Sequence, residues 1–324
     1  MRQIQLPGSA ITTTPLAFGC GSLYRTNSES GRRRLLQAAF DAGIRHFDVA
    51  PLYGLGQAES DLGRFARGRR SEIVLATKFG LTPAGPLTWF VPAQSAVRWT
   101  LNMLPGLRQA VRKRADGFRQ PANYTAQNAT ASLERSLKAL GTDYIDLYML
   151  HEPLLEQIPY ADLYPLLERW RTAGKIRTYG VAGYYPEVAR ISAALPELCR
   201  VVQMDHDVLN NHRQHFVPEA SQAVVTFSPF SSALPSLLAV VREHPGLCFE
   251  VSIAEGLSVT SSEDIAECLL AESLSCNESG VVIYSSGRPD RIARLARVGE
   301  FSRQRLLACT HFLEVLRGRL SLSR

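Results

Sequence analysis

Short runs of β-branched and aromatic residues alternate along the chain with longer segments whose apolar positions recur every three or four residues. That is the pattern of strand–helix units built on a parallel sheet. After RQIQL and AITT, set around a Pro7-Gly8 turn as an N-terminal β-hairpin, eight runs read as buried strands: PLAFGC, IRHFDVA, EIVLATK, YIDLYML, IRTYGVAG, VVQMD, AVVTFSPF and GVVIYSS. Eight is the number that closes a (β/α)8 TIM barrel, so the pattern predicts an α/β barrel, with residues 1–324 as one domain. The intervening helices have recognisable ends. Ser28 suits the cap of a helix that stops at Gly43, and TASLERSLKALG places Leu133, Leu137 and Leu140 on one face. Ser261 with Asp264 resembles a capping box, and Pro289 suits a first helical turn.

One stretch breaks the rhythm. Residues 80 to about 125, after the third strand, are too long for an ordinary loop and leave the barrel on the face where active sites form. Its prolines Pro83, Pro86 and Pro92 favour an irregular start, and SAVRWTLNMLPGLRQAVRKR suits one or two helices broken near Pro105. The expectation is a lid or substrate wall, with Trp89, Phe90 and Trp99 as substrate contacts. The alternative is an aromatic cluster that only packs the insertion onto the barrel.

Composition narrows the class without choosing a function. With 324 residues, 45% of them apolar, the chain can bury a large core. The net charge of +6 is spread over helices rather than gathered in a basic tract, so a basic surface is expected and no nucleic-acid partner. No apolar run has the length of a membrane span, so no membrane partner is expected. The six cysteines form no C-x-x-C and no secretory segment opens the sequence, which together favour a cytoplasmic location. Nothing in the sequence specifies an oligomeric state.

Candidate chemistry collects at the strand ends. Asp48, Lys78 and His151 each close a predicted strand, and Tyr53 lies in the loop after Asp48, so all four converge on one rim. Their types suit one task, the movement of a proton to or from a carbonyl oxygen. An adjacent ammonium, Lys78, should lower the high pKa of a tyrosine; Asp48 should keep that ammonium charged; His151 should orient and polarise the substrate oxygen. Any one of them alone reads as a structural hydrogen-bonding residue. A metal-dependent hydrolase on the same architecture is the competing reading of DHDVLNNHRQH, but Asp205, His206, Asp207, His212 and His215 come from one short span rather than several strand ends, and no metal is expected.

FDVAPLYGLGQAESDLG, ATKFG, LGTDYIDLYMLHEP and AGKIRTYGVAGY together resemble the aldo-keto reductase family, from the hairpin to about Arg297. The resemblance implies a barrel that binds NADPH or NADP+ (NADH being possible) and carries out reversible carbonyl reduction on a small-molecule carbonyl or alcohol. By position it implies Tyr53 as general acid/base, Asp48 and Lys78 as its tuning pair and His151 as the substrate-directing group. It assigns Gln203 to the nicotinamide carboxamide, Phe227 to stacking on the nicotinamide with Ser228 beside it, and Ser286 and Arg291 to a 2′-phosphate with Ser285 and Arg288 as neighbours. Three departures stand out: Ala182-Gly183 where a Ser-Asn pair is common, Phe227 where a tyrosine is common, and no recognisable glycine-rich covering loop after Ser232. These departures motivate a second reading, a non-catalytic or weakly catalytic dinucleotide-binding regulatory subunit, against which the intact Asp48, Tyr53, Lys78 and His151 argue.

Overall fold

The computed structural model describes residues 1–82 and 121–322. Its central strands are β3 (Leu16–Gly19), β4 (His46–Asp48), β5 (Val74–Phe79), β6 (Ile145–His151), β7 (Ile176–Gly183), β8 (Val201–Asp205), β9 (Ala223–Phe227) and β10 (Val281–Tyr284). They form a closed parallel barrel in the order β10-β3-β4-β5-β6-β7-β8-β9, matching the eight predicted strands. The opening hairpin is present but short, β1 (Ile4–Gln5) against β2 (Thr12–Thr13). Its Leu6 and Ile11 pack into one cluster with the barrel-lining Ala17, Val74 and Leu147, so the hairpin plugs the end where the strands begin.

The period of two along each strand decides which side chains face the barrel axis. On β5, Val74 and Ala76 join the inner cluster while Leu75 and Phe79 pack outward against helices; on β6, Leu147 and Met149 point in while Tyr148 and Leu150 point out. Continuing the alternation puts Asp48, Lys78, His151, Gln203 and Phe227 on the inward side at the carboxyl end. The register agrees, with Asp48 opposite Ala76, His151 opposite Ala182, and Ala182 opposite Gln203. The sequence therefore builds an apolar floor of small and branched residues and a polar upper layer on the same faces of the same strands.

The helices wrap this barrel. Ser28 accepts from the Gly31 N–H to start α1 (Glu29–Asp41), and α2 (Ala58–Ala66) lies against α3 (Ala126–Leu140). The α3 helix begins four residues earlier than the TASLERSLKALG pattern indicates, because Thr125 caps it, and it ends at Gly141 in the left-handed conformation, φ 63°. After α4 (Tyr160–Thr172) and α5 (Tyr185–Ala194), the stretch that lacks a recognisable covering loop folds as two consecutive helices, α6 (Ala233–Glu243) and α7 (Pro245–Ala254). The predicted box at Ser261 forms at the start of α8 (Ser262–Cys276), with Asp264 serving in place of the longer Glu. Then α9 (Pro289–Ala296) and a terminal helix α10 (Arg303–Leu322) complete the shell, α10 packing on α8 beyond the reach of the sequence resemblance. The long stretch after β5 falls mostly on residues 83–120; the expected helices there and Trp89, Phe90 and Trp99 lie outside the described residues. No described helix is long and apolar enough to cross a membrane.

Candidate active site

At the carboxyl end of the barrel a cavity of about 510 Å³ opens over the polar layer, lined by Asp48, Tyr53, Lys78 and His151 together. Lys78 Nζ donates to both Asp48 oxygens at 2.7 Å and to the Val49 carbonyl at 3.1 Å. The same ammonium lies 5.2 Å from the centre of the Tyr53 ring, and the His151 ring stands edge-on to that ring at 5.9 Å. Burial pushes the Lys78 ammonium towards neutrality, but its neighbours, Asp48 foremost and then Tyr53, together more than offset this and its pKa ends above the ordinary value.

Tyr53 departs from the sequence expectation. Burial raises its pKa above the ordinary 10.0, and the opposing pull of Lys78 only reduces that rise. The expected lowering by the ammonium is present as a contribution but loses to desolvation, so in the free protein Tyr53 is a neutral phenol across the physiological range. Asp48, the buried last residue of β4, is likewise raised by burial and pulled back by Lys78 and by a hydrogen bond from Gln203.

Two supports hold these groups in place. Tyr24 donates to Asp61, which also accepts from Arg32 Nε at 2.6 Å, and the Tyr24 ring lies so near Gly54 that a Cβ there would fall 2.1 Å from it. Gly54 is also at φ +58°, so the loop carrying Tyr53 folds tightly over Tyr24 only with glycine at that position. On the other side Gly80, φ +105°, lets Tyr124 pack where a Cβ would come within 2.0 Å, and the Tyr124 hydroxyl donates to the His151 carbonyl at 2.6 Å.

The rest of the wall can be tested against a nicotinamide ring and its carboxamide. A carboxylate only accepts, so the Gln203 side chain meets Asp48 through its NH2; this leaves Gln203 Oε1 buried and, among the described residues, without a partner. An orphaned acceptor beside the tetrad is what an amide N–H of a carboxamide would satisfy. Phe227 presents an aromatic face, with Tyr184 against it at 6.1 Å and 69°, and Ala182-Gly183 leaves the neighbouring wall without side-chain donors. Two non-glycine residues of this wall hold left-handed backbone, Glu152 at φ 53° and Ser228 at φ 69°. Such strain gathers where a site dictates the chain path. The residues present fit the group.

A second cavity of about 250 Å³, lined by Ser285, Ser286, Arg291 and Glu263, shares Arg25, Phe230 and Ser285 with the first, so the two form one groove. Arg288 does not line it: its guanidinium pairs with Asp290 and is 61% exposed. Sequence reasoning missed Arg25, Glu152, Tyr184 and Phe230, which sit at the end of a short helical turn, in loops or at a helix entry, where no strand parity marks them. The histidine-rich span after β8 is spent on structure. Asp205 accepts from the Tyr185 N–H at 2.8 Å and pairs with His212, while Asp207 accepts from Leu209, Asn210 and Ser232. His206 Nδ1 accepts from the Arg213 N–H, so a neutral ring carries its proton on Nε2, facing Glu272 at 3.4 Å. Although Cys276 completes a possible three-ligand group there, that tautomer offers the group a proton rather than a lone pair.

The sequence profile described as Aldo/keto reductase family matches residues 15–236. A D-threo-aldose 1-dehydrogenase of Pseudomonas sp is 31% identical over 203 residues, covering 58% of this chain and 53% of that protein. The aldo-keto reductase YhdN of Bacillus subtilis is 29% identical over 223 residues, covering 67% and 56%. The matched region thus spans about half the length of these relatives. Among solved structures, aldo-keto reductase AKR11C1 of Bacillus halodurans in its holo form superposes with a TM-score of 0.69 at 20% identity, covering 98% of this chain and 96% of that one. The glycerol dehydrogenase AKR11B4 of Gluconobacter oxydans gives 0.70 at 17% identity, covering 97% and 95%. At these identities the structural likeness bears on the fold.

Proposed function

This chain belongs to the aldo/keto reductase family, and from that premise we propose that residues 1–324 act as one catalytic barrel that interconverts a small carbonyl compound and its alcohol. The observation that carries the reading is the buried Asp48–Lys78 pair, 2.7 Å apart, set against the Tyr53 ring at the floor of a cavity that His151 also lines.

A nicotinamide dinucleotide bound along the groove would supply hydride to the carbonyl carbon, or accept it from the alcohol carbon. Gln203 and the Phe227 face would hold its ring, Arg25 its pyrophosphate, and Ser286 and Arg291 its adenosine ribose, the last two being of the types that suit NADP(H). This chain's own part is the proton. Tyr53 Oη, neutral at ordinary pH, gives its proton to the carbonyl oxygen as the C–O double bond becomes single, and the phenolate so formed is stabilised by the Lys78 ammonium. In the opposite direction the phenolate takes the alcohol proton. Asp48 keeps Lys78 charged in both directions, and the His151 ring, at the cavity wall beside Tyr53, orients the oxygen.

The Tyr53→Phe protein tests this directly. It should bind cofactor as the parent does and lose turnover by about 10²–10⁴-fold, the usual worth of a general acid. Full activity with an aldehyde, ketone and sugar panel would sink the assignment. The departures that motivate the non-catalytic alternative leave Asp48, Tyr53, Lys78 and His151 together around one cavity, which argues against it.

A further inference from the structure

The reading of Ser286 and Arg291 as the adenosine end leaves one carboxylate unexplained. Glu263, in the first turn of α8, lines the smaller cavity and accepts from Arg291 Nη2 at 2.6 Å. Its neighbours repeat the pattern. Arg294 is held by Glu267 and Asp264 at 2.5 Å each, and Arg288 by Asp290. Three guanidiniums, Arg288, Arg291 and Arg294, therefore face four carboxylates, and each of the three is paired.

The position of Glu263 is fixed at the backbone. The Ser261–Asp264 capping box sets the start of α8, and Glu263 sits between those two residues, facing across to α9. Its side chain is 29% exposed, open to the cavity. Hydrogen bonds from Ser262 and Arg291 hold its carboxyl below the usual range, so it is ionised at neutral pH. An ionised carboxylate accepts a hydrogen bond from a ribose hydroxyl and repels a phosphate dianion placed at the same point. The Arg291 guanidinium, which the resemblance assigns to a 2′-phosphate, is already engaged by that carboxylate, and Arg25, which forms no ion pair among the described residues, is shared with the larger cavity.

We propose that Glu263 is the residue that chooses between the two forms of the dinucleotide, and that it tilts the groove towards the form with a free 2′-hydroxyl. The proposal rests on the dinucleotide-site reading above and reverses the cofactor preference that Ser286 and Arg291 suggest in sequence. It adds no new contact for the reaction itself. Glu263 acts only on the far end of the cofactor, by its own carboxylate in the cavity and by engaging Arg291.

Binding without turnover tests it. The purified parent and Glu263→Gln proteins are titrated calorimetrically with NAD+ and with NADP+, and Glu263→Gln/Arg291→Ala serves as the second variant. The parent should bind NAD+ the more tightly. Glu263→Gln should tighten NADP+ by roughly tenfold while weakening NAD+ about threefold, since a neutral amide neither repels the phosphate nor accepts as strongly from the hydroxyl. Adding Arg291→Ala should erase the gain for NADP+. A ratio of the two affinities that Glu263→Gln leaves unchanged, with both dinucleotides still binding, overturns the proposal alone, as does a parent that already prefers NADP+. If the parent binds neither dinucleotide, the site reading falls with it.

Discussion

At the strand end of the groove Asp48, Lys78 and His151 project from strands of one closed sheet and are 5% exposed or less, whereas at the helix end Glu263, Arg291 and Arg288 stand 29%, 41% and 61% exposed on the starts of α8 and α9. Both ends are rich in opposite charges, yet the charges serve differently. In the barrel an ammonium has no water to fall back on, so the Asp48 carboxylate is a condition of its being charged at all. On the helices each guanidinium could be solvated, and its carboxylate partner competes with whatever ligand arrives. A buried pair thus creates a reactive group, and an exposed pair modulates one.

The comparison breaks most sharply at Lys78. Lys78→Met leaves Asp48 enclosed with no cation, and loss of one partner of a buried pair costs about 3–5 kcal/mol. Denaturant melts should show a drop of that order, and the variant should lose turnover as fully as the Tyr53 change. The pH dependence carries the sign. In the parent, burial has already raised the Tyr53 pKa above 10.0, so carbonyl reduction should run level through neutral pH and fall only in the alkaline range, while alcohol oxidation should climb with pH. Without Lys78 the one influence that lowers that pKa is gone, and both alkaline limbs should move to higher pH in whatever activity survives. An unchanged profile would separate Lys78 from the proton.

Arg25 sharpens the contrast from the middle of the groove. It lines both cavities and forms no ion pair among the described residues, so its charge is available to a ligand in a way that Arg291's is not. Arg25→Ala should weaken NAD+ and NADP+ alike, by about tenfold, and should flatten the salt dependence of both. A loss confined to NADP+ would move Arg25 to the adenosine end and undo the division drawn here.

The same physical difference explains what could be read before any coordinates. Strand parity is a strict period of two, so once IRHFDVA, EIVLATK and YIDLYML are recognised as strands, the inward positions of Asp48, Lys78 and His151 follow, and the eight-stranded closure follows from the count. Gln203 and Phe227 lie on predicted strands in the same way, but only the resemblance singled them out. Arg25, Glu152 and Tyr184 were not legible, because residues of loops, short helical turns and helix entries reach the cavity through bends such as the left-handed Glu152, which no periodicity marks. Nor could sequence show that desolvation outweighs Lys78 at Tyr53. The resemblance supplied the residue types at the adenosine end, but whether an arginine there faces a ligand or a carboxylate depends on α8, a helix distant in sequence from α9.

Arg288 is the smallest and most discriminating case. It neighbours Arg291 in sequence and shares its charge, but it pairs with Asp290 two residues on, at the entry of α9, and lines neither cavity. Exposed pairs of this kind contribute little to stability, and a guanidinium turned to solvent contributes little to a ligand in the groove. Arg288→Ala should therefore leave the melting midpoint unchanged and both dinucleotide affinities within about twofold of the parent, a difference within the usual spread of surface substitutions. A tenfold loss for NADP+ alone would mean that Arg288 leaves Asp290 and swings into the groove when a phosphate arrives. The helix end would then hold a guanidinium able to exchange its carboxylate for a ligand, and the discrimination assigned to Glu263 would have to be shared with Asp290.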